Sequence, residues 1–368
     1  AFAAHQPSAR PGQVRVGRLL RGGCRAAWLY SWCFASRSLA AVPTMHLSRR
    51  EFLGAGAAAA CASLVGCAAS APVSGSFLQP WRSHLEMPRD QWRQRLAATQ
   101  ALGCRELFVQ WSGLQGDSEA DSWMLADAQI ADLLDICTEL GMGVHLGLPY
   151  DERWWKQISL SNVAGPAPYL AHIAEQGASH MYASTWPRHA AFRGWYIPYE
   201  LEQYHWAAPE RIELLVSALQ PLAQAAAATS GQVPGISTYF SQLQTLGSLP
   251  TLWSILLDRV SLRPMVQDGV GVAGLRNYEA LAPLQQMLLE RRAPFDLIVE
   301  LFEQLPPTRP DGSDFQARTA SFERVRRQWD VARDYGAQRV VAFAIDPWVL
   351  NDTPEARQLL REWKAAAR

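Results

Sequence analysis

ELFVQW (residues 106–111) and GVHLGL (143–148) are short apolar runs of β-type composition, and the segment between them, 123–140, places its apolar residues at helical spacing. Strand, helix and second strand in close succession read as one parallel βαβ unit. The same alternation extends outward in both directions. Strands are expected at SFLQPW (76–81), GWYIPY (194–199), PGISTY (234–239), LRPMVQ (262–267), FDLIVEL (295–301) and VVAFAI (340–345). Helical patterns occupy 88–102, 208–228, 275–292, 316–335 and 354–367. Eight strands alternating with helices predict an α/β protein, a single (β/α)8 TIM barrel over residues 77–368, in preference to an open doubly wound sheet.

The 368 residues carry 34 basic and 34 acidic side chains, but unevenly. Residues 1–66 hold eight arginines and one acid, Glu51, so the remainder is about seven charges negative. That excess argues against a nucleic-acid partner. Thirteen of the fifteen tryptophans lie in the acidic part, and indole faces suit the C–H faces of sugar rings as well as they fill cores. Cys104 and Cys137 sit in apolar helix-to-strand contexts and read as small buried hydrophobes.

Before the barrel the chain reads as an address. Residues 1–44 are expected to be an extension upstream of the true start at Met45. Ser48-Arg49-Arg50-Glu51-Phe52-Leu53 resembles a twin-arginine export signal, and 54–64 supplies a short apolar region. Leu64-Val65-Gly66-Cys67 resembles a bacterial lipobox, so 45–66 is expected to be a signal peptide and Cys67 the lipidated residue. A tether over 67–76 follows. The expected location is the periplasmic face of a bacterial membrane, the outer one on the evidence of Ala68, with the membrane touched through the lipid alone.

In a (β/α)8 barrel the chemistry sits where strands end and βα loops begin. Those positions hold Trp81, Gln110, Trp111, Glu200, Glu202, Tyr239, Gln267, Asp268, Glu300 and Trp348, with His145 and Trp195 within their strands. The set is rich in carboxylates, amides and aromatics and poor in Lys and Arg. It suits a neutral polyhydroxylated ligand, an oligosaccharide or polysaccharide, and not a phosphate. Glu200 and Glu300 each close an apolar strand, the fourth and the seventh, which face each other across the mouth. Retaining glycoside hydrolysis needs two such carboxyls.

GWYIPYELEQYHW (194–206), GISTYF (235–240), QDGVGV (267–272) and IVELFE (298–303) resemble an uncharacterised bacterial family of glycoside-hydrolase-like barrels, a domain of unknown function. That family is in turn similar to the clan A glycosidases. The resemblance implies that Glu200 is the acid/base and Glu300 the nucleophile, with Tyr199 standing where clan A usually has Asn. The other strand-end residues, Trp81, Gln110, Trp111, His145, Trp195, Glu202, Tyr239, Gln267, Asp268 and Trp348, are expected to bind substrate.

Gly269-Val-Gly-Val-Ala-Gly274 matches the dinucleotide fingerprint GxGxxG, but it comes late in the chain and without a nucleotide-binding half at the start. It reads as a tight βα turn. No cofactor and no metal are expected. The sequence therefore reads as an exported, lipid-anchored glycoside hydrolase, and alternatively as a glycan-binding lipoprotein with a degenerate glycosidase cleft.

Overall fold

A computed structural model describes residues 72–366 apart from 161, 163 and 307–314. The expected signal peptide, the expected upstream extension and Cys67 lie outside the described residues. All eight expected strands form: β1 (Gly75–Leu78), β2 (Glu106–Val109), β3 (Gly143–Gly147), β4 (Phe192–Leu201), β5 (Gly235–Thr238), β6 (Arg263–Gln267), β7 (Asp296–Glu300) and β8 (Arg339–Phe343). Each pairs in parallel with its neighbours in sequence, and β8 pairs with β1 to close the barrel.

One principal helix follows each strand: α1 (Arg89–Ala101), α2 (Asp127–Glu139), α3 (Ala167–Ala183), α4 (Pro209–Ser230), α5 (Leu249–Arg259), α6 (Asn277–Glu290), α7 (Phe322–Asp334) and α8 (Pro354–Ala366). Their starts follow local chemistry. Pro209 supplies a preset φ to α4, and the Ser248 hydroxyl accepts the Thr251 N–H at 3.2 Å to cap α5. Gly231, at φ +68°, ends α4 in the left-handed region that glycine adopts freely. No helix among the described residues is long and apolar enough to cross a membrane.

Three expected boundaries shift. β1 begins at Gly75, so the last residues of the expected tether are already barrel. The helical pattern over 123–140 opens with a short strand, Trp123–Met124, paired to Gly113–Gln115. That over 316–335 opens with Ala317–Thr319, paired to Phe302–Gln304. In both cases a cross-strand partner from the preceding βα loop captures the backbone before the helix starts.

Because side chains alternate along a strand, the barrel interior is built in layers two residues apart. The middle layer is Phe77, Phe108, Tyr196, Met265, Ile298 and Val341, all essentially inaccessible. Phe77 contacts Phe108 and Tyr196 at ring distances of 5.4 and 5.2 Å, which makes the layer a packed floor. Two residues toward the N-terminal end, the same strands carry Glu106, Arg263, Asp296 and Arg339. Two residues toward the other end they carry Gln79, Gln110, Gln267 and Glu300.

β4 reaches this top layer by an arch. Tyr196 and Ile197 pair with Gly235 and Ile236, but the next pair is Leu201 with Thr238. From Ile197 to Leu201 β4 advances four residues while β5 advances two. Pro198, which has no N–H to donate to a ladder, fits the unpaired arch, and Glu200 follows it.

Candidate active site

The top layer brings Glu200, Gln267 and Glu300 together. The Gln267 side-chain amide donates to Glu200 Oε1 at 2.7 Å. β5 lies between their two strands, so this bond crosses the barrel interior and fixes both side chains as inward-facing. Glu200 Oε2 is buried and has no hydrogen-bond partner.

Glu300 is held from below and from the side. The Gly271 N–H donates to its Oε2 at 2.7 Å. Its own N–H donates to Asp268 Oδ1 at 3.3 Å, and its carbonyl accepts from Arg324 Nη2 at 2.8 Å and Gln328 Nε2 at 3.0 Å. Asp268 is completely buried, and its remaining acceptor capacity is taken by the Val270 N–H, the Tyr278 hydroxyl and Gln328 Nε2. It clamps the backbone that aims Glu300, and no free lone pair is left for a substrate.

The GxGxxG turn now has a physical reason. Gly269, at φ +61°, and Gly274, at φ +74°, bracket the short helix Val270–Ala273. A Cβ at Gly271 would stand 2.6 Å from the Phe302 ring and 2.8 Å from Glu300 Oε2. Only glycine lets this N–H approach the carboxyl.

Burial raises both carboxyls above the ordinary range. After burial, the charge of Asp268 lifts Glu300 most, against the pull of the Gly271 N–H and of Arg324, and Glu200 adds to the lift. Glu200 is lowered in part by the Gln267 amide. Neither carboxyl has a salt-bridge partner among the described residues. Two such groups within each other's field hold a shared proton more readily than two charges.

A cavity of about 390 Å3 opens beside Glu300, with Tyr239 and Trp155 in its wall. Burial, and then the charges of Glu202 and Glu200, hold the Tyr239 phenol protonated. Gln110 is inward-facing at the top of β2 with its Oε1 buried and unpartnered, and Trp81 and Trp348, half-buried in the loops after β1 and β8, each leave an indole N–H unpartnered. These unpartnered atoms are themselves buried, and none of the three residues lines that cavity.

Other expected binding residues lie elsewhere. His145 is the central residue of β3, stacked on Phe108 at 4.2 Å, with Nε2 2.7 Å from Glu106 and 2.9 Å from Arg339. Those contacts join it to the ion cluster at the opposite end. Trp195 is one residue out of phase with Tyr196 and faces outward, its indole donating to Thr229 of α4 at 2.9 Å. Trp111 likewise faces outward, donates to the Pro80 carbonyl at 2.8 Å and packs on Trp81 and Tyr150. Glu202 caps the short helix Gln203–Trp206, accepting from the Tyr204 and His205 N–H groups and touching the His205 ring. Tyr199 faces away from the cleft and packs on Trp154, its hydroxyl accepting the Asp151 N–H at 3.4 Å.

Gly271, Tyr278, Arg324 and Gln328 were not among the expected site residues. All but Gly271 come from helices α6 and α7, which a rule based on strand ends does not search. Cys104 and Cys137 are buried free thiols, pushed up to about 12 by burial, consistent with the apolar reading. Among the described residues no group of His, Cys, Asp and Glu is arranged to hold a metal ion.

The family model described as Domain of unknown function (DUF4434) matches residues 73–358. No curated protein matches the sequence significantly. Among solved structures, one described as a "putative alpha-L-fucosidase" from Bacteroides thetaiotaomicron VPI-5482 superposes with a TM-score of 0.60 at 12% identity, over 81% of this chain and 96% of that one. The spore cortex-lytic enzyme SleL of Bacillus cereus gives 0.50 at 12% identity, over 79% and 74%. The β-galactosidase of the psychrophilic Marinomonas ef1 gives 0.51 at 13% identity over 74% of this chain and 54% of its own. At these identities the likeness is one of fold.

Proposed function

This chain belongs to the DUF4434 family, and on that footing we propose that it is a glycoside hydrolase that cleaves a polysaccharide or oligosaccharide by retention, with Glu200 and Glu300 as the catalytic pair. The observation that carries the reading is the pair itself: two buried, inward-facing carboxyls at the ends of β4 and β7, each held by a hydrogen bond and neither matched by a salt bridge among the described residues. Glycoside cleavage by retention needs one carboxyl that donates a proton and one that attacks. The fold shared with glycosidases supports it.

The hydrogen bonds support one division of roles. Glu200 Oε2 is buried without a donor, which disfavours a charge there and suits a proton ready for the leaving oxygen. Glu300 Oε2 is fixed by the Gly271 N–H, which orients the carboxylate for attack on the anomeric carbon. Glu200, then ionised, takes a proton from water, and that water opens the glycosyl-enzyme ester. Tyr239 faces the same cavity as Glu300, where its phenol can meet a sugar hydroxyl.

Burial raises both carboxyls, which leaves the exchanged assignment as the second reading. Azide separates the two. If Glu200 is the acid/base, a Glu200→Ala variant given azide yields a glycosyl azide of retained configuration, and Glu300→Ala yields the inverted one; the opposite outcome exchanges the roles.

The first test is reducing-end release from a broad polysaccharide panel by the full chain. Glu200→Gln and Glu300→Gln are each expected to lower the rate roughly a thousandfold or more. Full activity in either variant overturns the pair. Binding to a glycan without any release, indifferent to both substitutions, makes the protein a glycan-binding lipoprotein. Export and lipidation at Cys67 complete the proposal: the full chain partitions with membranes, and Cys67→Ser releases it to the soluble fraction.

A further inference from the structure

Besides the carboxyl pair, the loops over the barrel mouth hold a second array of reactive groups. Ser159 follows the short helix Trp154–Ile158 in the loop after β3, and His205 stands on the short helix Gln203–Trp206 after β4. Their side chains meet, with His205 Nε2 3.2 Å from Ser159 Oγ. The other ring nitrogen, Nδ1, is held by Glu202 Oε1. Glu202 is almost inaccessible, and its two oxygens also accept the Tyr204 and His205 backbone N–H groups. Hydroxyl, imidazole and buried carboxyl in series form the arrangement of a hydrolytic triad, which is recognised by geometry and not by order in the sequence.

The partners fix the tautomer. Glu202 Oε1 already accepts a backbone N–H, so the proton between it and the ring sits on Nδ1. The Nε2 lone pair is then left facing the Ser159 hydroxyl, set to take its proton. Ser159 is exposed, so a substrate can reach its Oγ. Ser159 and His205 line the same cavity as Glu300 and Tyr239. The Trp155 ring, one helical turn before Ser159, lies 6.4 Å from the His205 ring and 6.3 Å from that of Tyr239. The Tyr239 phenol therefore brings a hydroxyl donor to the space where an oxyanion would form.

We propose that this cavity has a second hydrolytic activity, in which Ser159, His205 and Glu202 cleave a carboxylic ester, an O-acyl group carried by the sugar. Ser159 Oγ attacks the acyl carbon while His205 Nε2 takes its proton. The acyl C–O bond then breaks, and that proton goes to the departing sugar oxygen, leaving an acyl-serine. Water, losing a proton to His205, attacks the same carbon, and the carboxylic acid leaves as the proton returns to Ser159. Ser159 and His205 are the catalytic residues, and Glu202 is a positioning residue that holds the ring. The ester chemistry stands on the triad alone. Only the sugar as its alcohol rests on the glycosidase reading, through Glu300 in the same cavity.

The full chain is tested with p-nitrophenyl acetate, with a fluorophosphonate probe and with an acetylated methyl glucoside. Turnover of the aryl ester is expected, as is a fluorophosphonate adduct on Ser159, located by mass spectrometry. Ser159→Ala, at an exposed position where folding is not at stake, should lower the turnover at least about a hundredfold, and His205→Ala should match it. Glu202→Gln should lower kcat with KM unchanged; a fall in Tm with kcat intact would make Glu202 a helix cap only and overturn its place in the triad. No adduct on Ser159, or turnover indifferent to Ser159→Ala, overturns the proposal. Aryl-ester turnover with no acetate released from the glucoside overturns the sugar as the alcohol. Failure of the glycosidase reading shows up separately, as silence in the reducing-end assay while ester turnover persists.

Discussion

Asp296 and Glu300 stand four residues apart on one strand, about 13 Å at 3.3 Å per residue, both inward-facing and both almost inaccessible to water. They live in opposite electrostatic worlds. At the N-terminal end Asp296 is gripped by two arginines, with Arg263 and Arg339 both donating to its Oδ1 and Oδ2 at 2.6–2.9 Å. Arg339 also reaches across the barrel to Glu106 at 2.6 Å and lies 5.2 Å from the Phe108 ring. At the C-terminal end Glu300, Glu200 and Asp268 share a site in which none of them has a salt bridge among the described residues, and Arg324, bound to the Glu300 carbonyl, offsets their charge only in part. Buried charge is neutralised where the barrel only has to hold together. It is left partly uncompensated where a proton has to be kept and given away.

The largest effect that could break this contrast is at the lower end. Arg339→Ala leaves Asp296 with Arg263 alone and Glu106 with His145 alone, and removing one partner of a buried pair costs up to about 3–5 kcal/mol. Urea unfolding should show it; a loss below about 1 kcal/mol would mean that the lower cluster is not a structural plug. Gly271→Ala comes next, because the new methyl meets Phe302 and Glu300. A destabilisation of about 1–3 kcal/mol is expected, together with loss of activity, and a variant with unchanged stability and kcat would show that the close approach is dispensable.

Glu300→Gln sharpens the comparison by its sign. The amide keeps an acceptor for the Gly271 N–H while removing a charge that burial disfavours. The variant is expected to be inactive and more stable than the parent by about 1–2 kcal/mol at neutral pH, read from the shift in Tm. A lower Tm would contradict the uncompensated site.

The smallest effect is the shape of the pH profile, to which the two ends contribute with opposite signs. Burial alone would lift Glu106, but the hydrogen bond from His145 and the charge of Arg339 outweigh it and hold the carboxyl at about 2 against an ordinary 4.5. Its contribution is therefore complete above 4.5 and is lost as pH falls through 2. Glu200, Asp268 and Glu300 are raised, so the folded state holds their protons longer than the unfolded chain does. Their penalty is absent below the ordinary carboxylate value and grows as pH rises through the folded values. Tm should climb as pH is lowered from 7 toward about 5 and fall again below about 4. Glu300→Gln should flatten the first limb and Arg339→Ala the second; a profile unchanged in both would refute the assignment.

Much of this is legible in the amino-acid sequence alone. The strands were readable because parallel barrel strands are buried on both faces and stand out as apolar runs, and Glu200 and Glu300 were readable because each interrupts such a run at its end. Alternation could also have removed Trp195, which is five residues from Glu200 and therefore on the other face of β4. His145 was placed too high because its height in the barrel depends on where β3 ends, at Gly147. Arg324 and Gln328 were not legible at all. They are spaced four apart on an amphipathic helix, and nothing local distinguishes them from surface positions until α7 is docked against β7.

The arch in β4 makes the site sensitive to chain length as well as to chemistry. The two additional residues between Ile197 and Leu201 are an even number, so the inward and outward phase of β4 is preserved across the arch. Deleting one residue between 197 and 200 would turn the acid to face the helices, with every side chain of the site still encoded. Deleting two would keep the phase and drop Glu200 by one layer, onto the aromatic floor. Homologues in which this segment varies in length by a single residue should therefore have lost the acid at this position or rebuilt it from a neighbouring strand.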